Sequence, residues 1–589
     1  MNVLPSLLTG QLDIWTSAET EKKSGRGRSS GNGTSVYGIK KLRELILELA
    51  VRGKLVPQDP NDEPAGELLK RIQVEKARLM AEGKIKKNKP LPPITDEEKP
   101  FELPKGWEWV RLGSIIDYVN GFAFSSKDFT TQGIGVVKIG DIQQGKIEPE
   151  FMSRVSEDVV DSLDVRLQVV NGDLVIAMSG ATTGKLGFNA TEEVFYLNQR
   201  VGKIVPFIVS KRFLYFDLTT KIAENLKKSF GSAIPNLSTE QINAIVTAIP
   251  PTEEQHRIVA KVDELMALCD QLETQHINAA EAHEKLVNHL LGTLTQSQSA
   301  EDFSANWQRI AAHFDTLFTT EASIDALKQT LLQLAVMGKL VPQDPNDEPA
   351  SELLKRIQAE KAKLVAEGKI KKDKQLPPIS DEEKPFELPQ GWEWVRLGSV
   401  LEITGGVTLG RKISSADLVE LPYLRVANVQ RGYLVLDSIK TVEIQYSELS
   451  RYQLLRDDLL VTEGGDWDKV GRTAIWNAEI ENCLHQNHIF RMRRITEGLS
   501  SSWIQMYMNS IAKAYFQASS KQTTNLASIN MTQLKNCLLA VPTLREQHRI
   551  VTKVDELMTL CDQLKSRITQ ASQLQKKLAD GVVEQAIAS

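Results

Sequence analysis

Three groups of residues have types that could do chemistry, and none has the spacing. The segment GATTGK at 180–185 has the glycines and lysine of a phosphate-cradling loop. That loop needs four residues between its glycines and Ser or Thr after its lysine. This one has three, and Leu186 follows Lys185, so a turn between two strands is expected. His283, Glu284 and His289 carry metal-ligating groups. The two histidines are six residues apart, whereas ligands on one helix face need a separation of three or four. Cys483, His485 and His488 lie close together. Alternation along a strand accounts for them, and no fourth ligand stands nearby. A Gly-rich loop that follows a strand and opens a helix, the mark of a dinucleotide site, is missing. The expectation is a chain with no catalytic residue, metal or cofactor of its own.

Hydrogen bonding to nucleic acid is the other chemistry available. Arg and Lys read guanine, Asn and Gln read adenine, and Ser, Thr and Lys hold phosphates. Such residues gather in polar segments that occur twice. The first set is Lys185, Gln199, Arg200, Ser232, Asn236 and Ser238. The second is Lys469, Arg472, Gln486, Lys521, Thr523 and Asn525. The competing role for each is a solvated loop position or a strand-end hydrogen bond.

The elements that must position these residues are written twice. Residues 53–114 return at 338–399 with eight substitutions. EQHRIVAKVDELMALCDQL at 254–272 returns as EQHRIVTKVDELMTLCDQL at 546–564. Between the copies lie two segments without visible similarity, 107–249 and 392–541. A near-identical frame around divergent inserts predicts two modules doing different versions of one job. In the second repeat Ile258, Val262, Leu265, Cys269 and Leu272 form a heptad seam, as do Ile550, Val554, Leu557, Cys561 and Leu564. The seams are expected to continue through His276, Ala279, Leu286 and Leu290, and through Ile568, Ala571 and Leu578. Each seam needs a partner helix, and antiparallel pairing of the two copies is the economical solution. Cys269 and Cys561 are then buried seam residues.

Helices are expected over 39–51, 67–82, 211–226 and 502–518. Strands are expected over 135–142, 174–178, 423–428, 459–462 and 489–492. Residues 90–104 are too rich in proline for a helix and should be extended. Residues 19–34, mostly Gly, Ser and charge, read as a flexible linker. The fold class is α/β (α+β): two mixed domains separated by an antiparallel pair of coiled-coil helices, with a pseudo-twofold internal repeat.

With 589 residues the chain exceeds a single core. Its four cysteines form no CxxC pair, which fits a reduced, cytoplasmic protein without structural zinc. Residues 1–10 lack the basic start of a signal peptide, and no apolar run has the length of a membrane helix. The net charge of −5 is unlike that of a freestanding nucleic-acid binder. DNA binding would need local basic patches or positive surface from partner subunits.

Together these features resemble the specificity subunits of type I restriction-modification systems. The N-terminal block KKLRELILELAVRGKLVPQDPNDEPA at 40–65 is similar to that of the A-type (type IB) branch. The resemblance covers nearly the whole chain. It implies a DNA-binding, non-catalytic subunit. An N-terminal arm (1–40) and a conserved region (41–106) precede target-recognition domain 1 (107–249). A central conserved region with a spacer helix (250–391), domain 2 (392–541) and a C-terminal helix (542–589) follow. Each recognition domain would read half of a split site on double-stranded DNA, and the helices would fix the gap. The frame would dock two methyltransferase subunits and two restriction-translocase subunits. S-adenosylmethionine, ATP and Mg would belong to those partners. The Asn/Asp-Pro-Pro-aromatic motif of an amino-methyltransferase is missing, so the chain by itself is not expected to methylate, hydrolyse ATP or cut. A protein-binding scaffold with two divergent recognition modules is the alternative, and the acidic charge suits it.

Overall fold

The computed structural model describes residues 12–17, 20–22, 34–86, 90–228, 236–410, 417–465, 467–522 and 527–588. The chain forms two units. The first comprises Met1–Ala280 with Ala571–Ser589, and the second comprises Glu281–Gln570. Two 45-residue helices, Thr252–Gln296 and Leu544–Ala588, each begin in one unit and end in the other.

In the first unit the helix Tyr37–Val51 buries Ile39, Leu42, Ile46 and Leu49, the three-and-four spacing of one helix face. They share a core with Ile258, Val262, Leu265 and Cys269 of the first long helix and with Ala579, Val583 and Ala586 of the second. Polar contacts give the directions. Arg43 pairs with Asp270 at 2.7 Å, and Gln58 reaches Glu254 at 3.1 Å. Tyr37 reaches Asp580 at 2.8 Å, and Lys54 donates to the Ile587 carbonyl at 3.3 Å. The two long-helix segments in this unit are therefore antiparallel. The second unit repeats the plan. Helix Glu321–Val336 packs Ile324, Leu327 and Leu331 with Val287, Leu291, Leu294 and Cys561. Lys328–Asp562 and Lys565–Asp325, both at 2.6 Å, run one way. Lys339 to the Ser297 carbonyl at 2.8 Å runs the other. The antiparallel seam and its buried Cys269 and Cys561 are as expected.

In the far half of each seam Leu290 and Ile568 still pack against the core, but other positions do not. Leu286 and Leu578 are 49 % and 54 % exposed, and Ala279 and Ala571 are exposed. Val287 and Ala579 take the buried places. Each lies eighteen residues beyond its seam cysteine, which is five turns at about 3.6 residues per turn. Heptad counting advances only 3.5 per turn, so it drifts off the face of a straight helix.

The motif EQHR explains how the inserts are held. Glu254, 1 % exposed, accepts from the Trp107 indole at 2.9 Å and from Gln58 at 3.1 Å. Gln255 accepts from the Ser210 backbone at 2.9 Å, at the head of the helix Lys211–Lys228. Arg257 pairs with Asp62 at 2.6 Å. Glu546, Gln547 and Arg549 repeat this with Trp392 and Gln343, Ser500 and Asp347. Gly53, at φ +68°, has no room for a Cβ, which would meet Pro104 at 2.5 Å and Trp107 at 2.9 Å. The proline-rich segment is extended apart from a short 3-10 turn at Asp96–Glu98. Arg111, 8 % exposed, holds it by donating to the Pro93 carbonyl and to Glu98.

Each insert is closed at its root by a strand pair in the same register, Glu108↔Ile249 in one and Glu393↔Val541 in the other. Beyond the root, four strands keep one order. They are Ile116–Asn120, Val201–Pro206, Leu174–Ala177 and Leu186–Phe188 in the first insert. Leu401–Gly405, Ile489–Arg494, Leu459–Thr462 and Thr473–Ile475 match them in the second. The expected strands over 135–142 and 423–428 stop early, at Val137 and Leu424. A side-chain oxygen of Asp141 or Asn428 accepts the backbone N–H three residues before it and turns the chain. The helix expected over 502–518 is two, Ser501–Asn509 and Ile511–Ser519. The Ser510 hydroxyl donates to the Met506 carbonyl at 2.7 Å, competing with the backbone ladder. Within the expected linker, Thr20–Lys22 pairs with Thr34–Val36.

Burial raises the Glu254 carboxyl above its ordinary range. Glu254→Ala strands the Trp107 indole and should cost about 1–3 kcal/mol, lowering the urea midpoint. Glu254→Gln keeps an acceptor for the indole but sets an NH2 against that of Gln58, and should lose clearly less than Glu254→Ala. Equal losses in the two variants would show that the hydrogen bond to Trp107 is not what holds the insert.

Candidate nucleic-acid interface

Most of the polar residues singled out in the sequence fall at one end of each insert's central sheet. In the first insert the strand Leu174–Ala177 runs out into Met178. Its N–H donates to the Arg200 carbonyl at 3.0 Å, and its carbonyl accepts from Leu237 at 2.8 Å. Ser179 bridges Asn236. Lys185, Gln199, Arg200 and Asn236 are thereby brought to one edge, with Gln199, Arg200 and Asn236 exposed. The expected turn at 180–185 is a 3-10 turn between strands.

The second insert builds the same edge with other side chains. Glu463 donates its N–H to the His488 carbonyl at 3.0 Å and accepts from Ile529 at 2.9 Å. Gly464 pairs with Ser528. Lys469 closes a short turn at Trp467–Lys469, and its carbonyl accepts from the Thr462 hydroxyl at 2.6 Å. Gln486 bridges Val407, and Lys521 sits on the strand Lys521–Gln522 opposite Ser528. Ser232, Thr523 and Asn525 lie outside the described residues.

One residue, Ser238, has its polar groups engaged by a neighbour. The Ser238 hydroxyl accepts from the Gln241 N–H at 3.1 Å, and the Gln241 side chain accepts from the Ser238 N–H at 2.8 Å. That reciprocal cap starts the helix Thr239–Ala244. Asn530 and Gln533 repeat it before Met531–Asn536. The S-x-x-Q spacing was readable in the sequence.

Two glutamines were missed. Lys185 Nζ donates to Gln143 Oε1 at 2.9 Å, and Arg472 donates to Gln430 Oε1 at 2.6 Å. The signal was present as IGDIQQG at 139–145 and VANVQRG at 426–432. Each has an Asp or Asn, then Gln two residues on, then a glycine, and those glycines have φ +89° and +90°.

The arrangement offers hydrogen-bond donors and acceptors, and the thiol and imidazoles nearby are engaged elsewhere. Burial pushes the Cys483 thiol up to about 12. His485 is buried, with Nδ1 2.9 Å from the Ile489 carbonyl, whereas exposed His488 lies 2.7 Å from Glu463. His283 faces the Thr316 carbonyl at 3.1 Å. Among the described residues no group of three His, Cys, Asp or Glu is placed to hold a metal ion. No helix among them is long and apolar enough to cross a membrane.

Residues 104–282 and 389–572 match the family model described as type I restriction modification DNA specificity domain. The chain is 43 % identical over 605 residues to the type I restriction enzyme EcoAI specificity subunit of Escherichia coli, spanning 99 % of each protein. It is 39 % identical over 606 residues to the EcoEI specificity subunit of Escherichia coli, again spanning 99 % of each. A solved chain from a study of type I R-M system assembly and conformational transition is 20 % identical, with a TM-score of 0.46. That match spans 83 % of this chain and 99 % of the other, and the score is too low to speak for a shared arrangement of the whole.

His485 offers a check on the second insert. Burial, with Arg491 and Arg493 adding to it, lowers its pKa from 6.5 to about 3. Between those values the unfolded chain binds a proton that the folded one does not. Stability is therefore full above about pH 6.5 and falls as the pH drops, by up to about 1.4 kcal/mol per unit. Leu197 stands at the matching place in the first insert, paired parallel beside Val137 as His485 is beside Leu424. His485→Leu should gain on wild type as the pH falls from about 7 to about 5. An unchanged difference across that range would contradict the buried neutral imidazole.

Proposed function

Since the chain belongs to the type I restriction-modification DNA specificity family, we propose that it is the sequence-reading, non-catalytic subunit of such an enzyme. Each insert reads one half of a bipartite asymmetric site on double-stranded DNA, as target-recognition domains 1 and 2. The observation that supports this most directly is the pair of same-ordered strand frameworks whose polar edges bear different side chains. Arg200 stands where the second insert has His488, and Met178 stands where it has Glu463, in matching backbone hydrogen bonds. Two readers with one skeleton and different edges suit two different half-sites.

The near-identical frame segments each dock one methyltransferase subunit, and the full enzyme adds two restriction-translocase subunits. With a net charge of −5, the chain relies on those partners for part of the positive surface that DNA demands. S-adenosylmethionine, ATP and Mg serve the partners. The site of action is the bacterial cytoplasm, at the nucleoid when DNA is bound. Sequencing methylated adenines in a host with and without this chain tests the reading, and a split motif that appears only with it is the expected result.

The long helices act as the ruler between half-sites. Both run from one unit into the other, so a test must lengthen both. The insertion points are after Thr274 and after Ser566, in exposed stretches rather than near the buried Val287, Leu291 and Leu294. Four extra residues, about one turn, add about 6 Å, against about 3.4 Å per base pair. The half-sites should stay the same and separate by one or two further base pairs. A folded, active complex that keeps its original spacing would refute the ruler.

A further inference from the structure

Among the differing side chains of the two polar edges, one arrangement is shared. Lys185 and Arg472 each immediately precede the outer strand of the four-stranded frame, Leu186–Phe188 or Thr473–Ile475. Those strands pair in matching register, Leu174↔Phe188 and Leu459↔Ile475. Each cation donates to a glutamine oxygen, of Gln143 at 2.9 Å and of Gln430 at 2.6 Å. Each glutamine follows the same Asp or Asn turn, at Asp141 and Asn428, whose side chain accepts a backbone N–H at 2.8 Å. Gln430 is fixed further, its Nε2 donating to the Ala427 carbonyl at 2.8 Å. Around this pair the edges differ: Arg200 against His488, Met178 against Glu463, and Asn236 against Ser528.

We infer that Lys185 and Arg472, each aimed by its glutamine, contact DNA phosphates at the same place in both recognition domains, while the differing edge residues read the bases. The inference rests on the DNA-reading function proposed above. Two half-sites of different sequence always share the sugar-phosphate backbone, so a feature kept in both readers fits the backbone. The exchange of lysine for arginine points the same way. A phosphate accepts either side chain as a positive charge, so the exchange keeps the contact. The glutamine that orients each cation is neutral and adds no counter-charge of its own. Gln143 and Gln430 are positioning residues, since they act through the cation.

The test uses the full chain assembled with its methyltransferase subunits and a pool of duplexes randomised over the target. Affinity is measured across a salt series, and the bound fraction is sequenced. Lys185→Gln and Arg472→Gln should each weaken binding on the order of three- to tenfold and reduce the log–log salt slope by about 0.9, the value for one lost phosphate contact. The preferred bases in both half-sites should not change. Lys185→Arg and Arg472→Lys keep the charge and the glutamine contact, and should retain both affinity and preference. These conservative variants keep the test decisive if a neutral one folds poorly. A changed base preference in any of the four variants would overturn the inference by making the cation a base reader. Unchanged affinity and slope in the neutral variants would overturn it by removing the contact. Failure of the wild-type assembly to bind any duplex would overturn the DNA-reading function itself, and this inference with it.

Discussion

At the head of each long helix a glutamate is sealed from water among the groups that it hydrogen-bonds. Glu254 and Glu546 each take an indole N–H from the tryptophan that opens an insert and an amide N–H from a glutamine of the preceding frame. A buried carboxylate is expensive unless its acceptor sites are filled. The carboxylate therefore demands that three segments, far apart in the chain, meet in one geometry. The neighbouring Gln255 and Gln547 extend the demand to the backbone that leads into a helix of the insert. Each insert thus has its two ends, and one helix inside it, referred to the same turn of a long helix. Whatever the rest of the insert contains, it leaves the frame from a fixed root.

That constraint explains why the inserts are free to differ. The root strands pair in one register in both units, and packing within the sheet need only be complementary. Tyr118 lies over Gly202, where an added Cβ would meet its hydroxyl at 1.8 Å. The second insert has Ile403 and Phe490 at the corresponding register positions, with the bulk on the other strand. The aromatic ring has changed strand between the two inserts. Buried charge is handled in the same spirit. Lys203 meets Asp173 at 3.3 Å in one insert, and Arg493 meets Asp458 at 2.7 Å in the other. The sequence similarity disappears while the backbone hydrogen bonds at the polar edge remain.

The frame was legible in the sequence because it is local and repeated. Periodicity located Tyr37–Val51, Ala65–Ala81 and the two long helices but not Glu321–Val336, and duplication revealed the modular plan. The seam holds at Leu272, Leu564 and Ile568 but misses at Ala279, Leu286, Ala571 and Leu578, because a heptad count accumulates error along a straight helix. Ser510 shows another limit: a serine inside an apolar helical pattern splits the helix by bonding backward. The candidate edges were partly legible, since Lys185 and Arg200 lie at one in the first insert and Arg472 and Gln486 at the other in the second. The Ser238 hydroxyl caps a helix, a role that its S-x-x-Q spacing announces. Gln143 and Gln430 were overlooked because their significance comes from a partner some forty residues away, Lys185 or Arg472. The Glu254–Trp107 bond spans 147 residues, a separation over which residue spacing says nothing about contact.

The central claim is that one repeated frame carries two interchangeable readers. Replacing residues 107–249 with a second copy of residues 392–541 tests it within this chain, because both inserts leave the frame by the same strand register. The measurement is the methylated-adenine motif in a host that supplies the methyltransferase subunit. The account predicts a symmetric motif, made of two inverted copies of the half-site that residues 392–541 read in the parent. Retention of the parent's asymmetric motif, or a motif matching the parent in neither half, would contradict it.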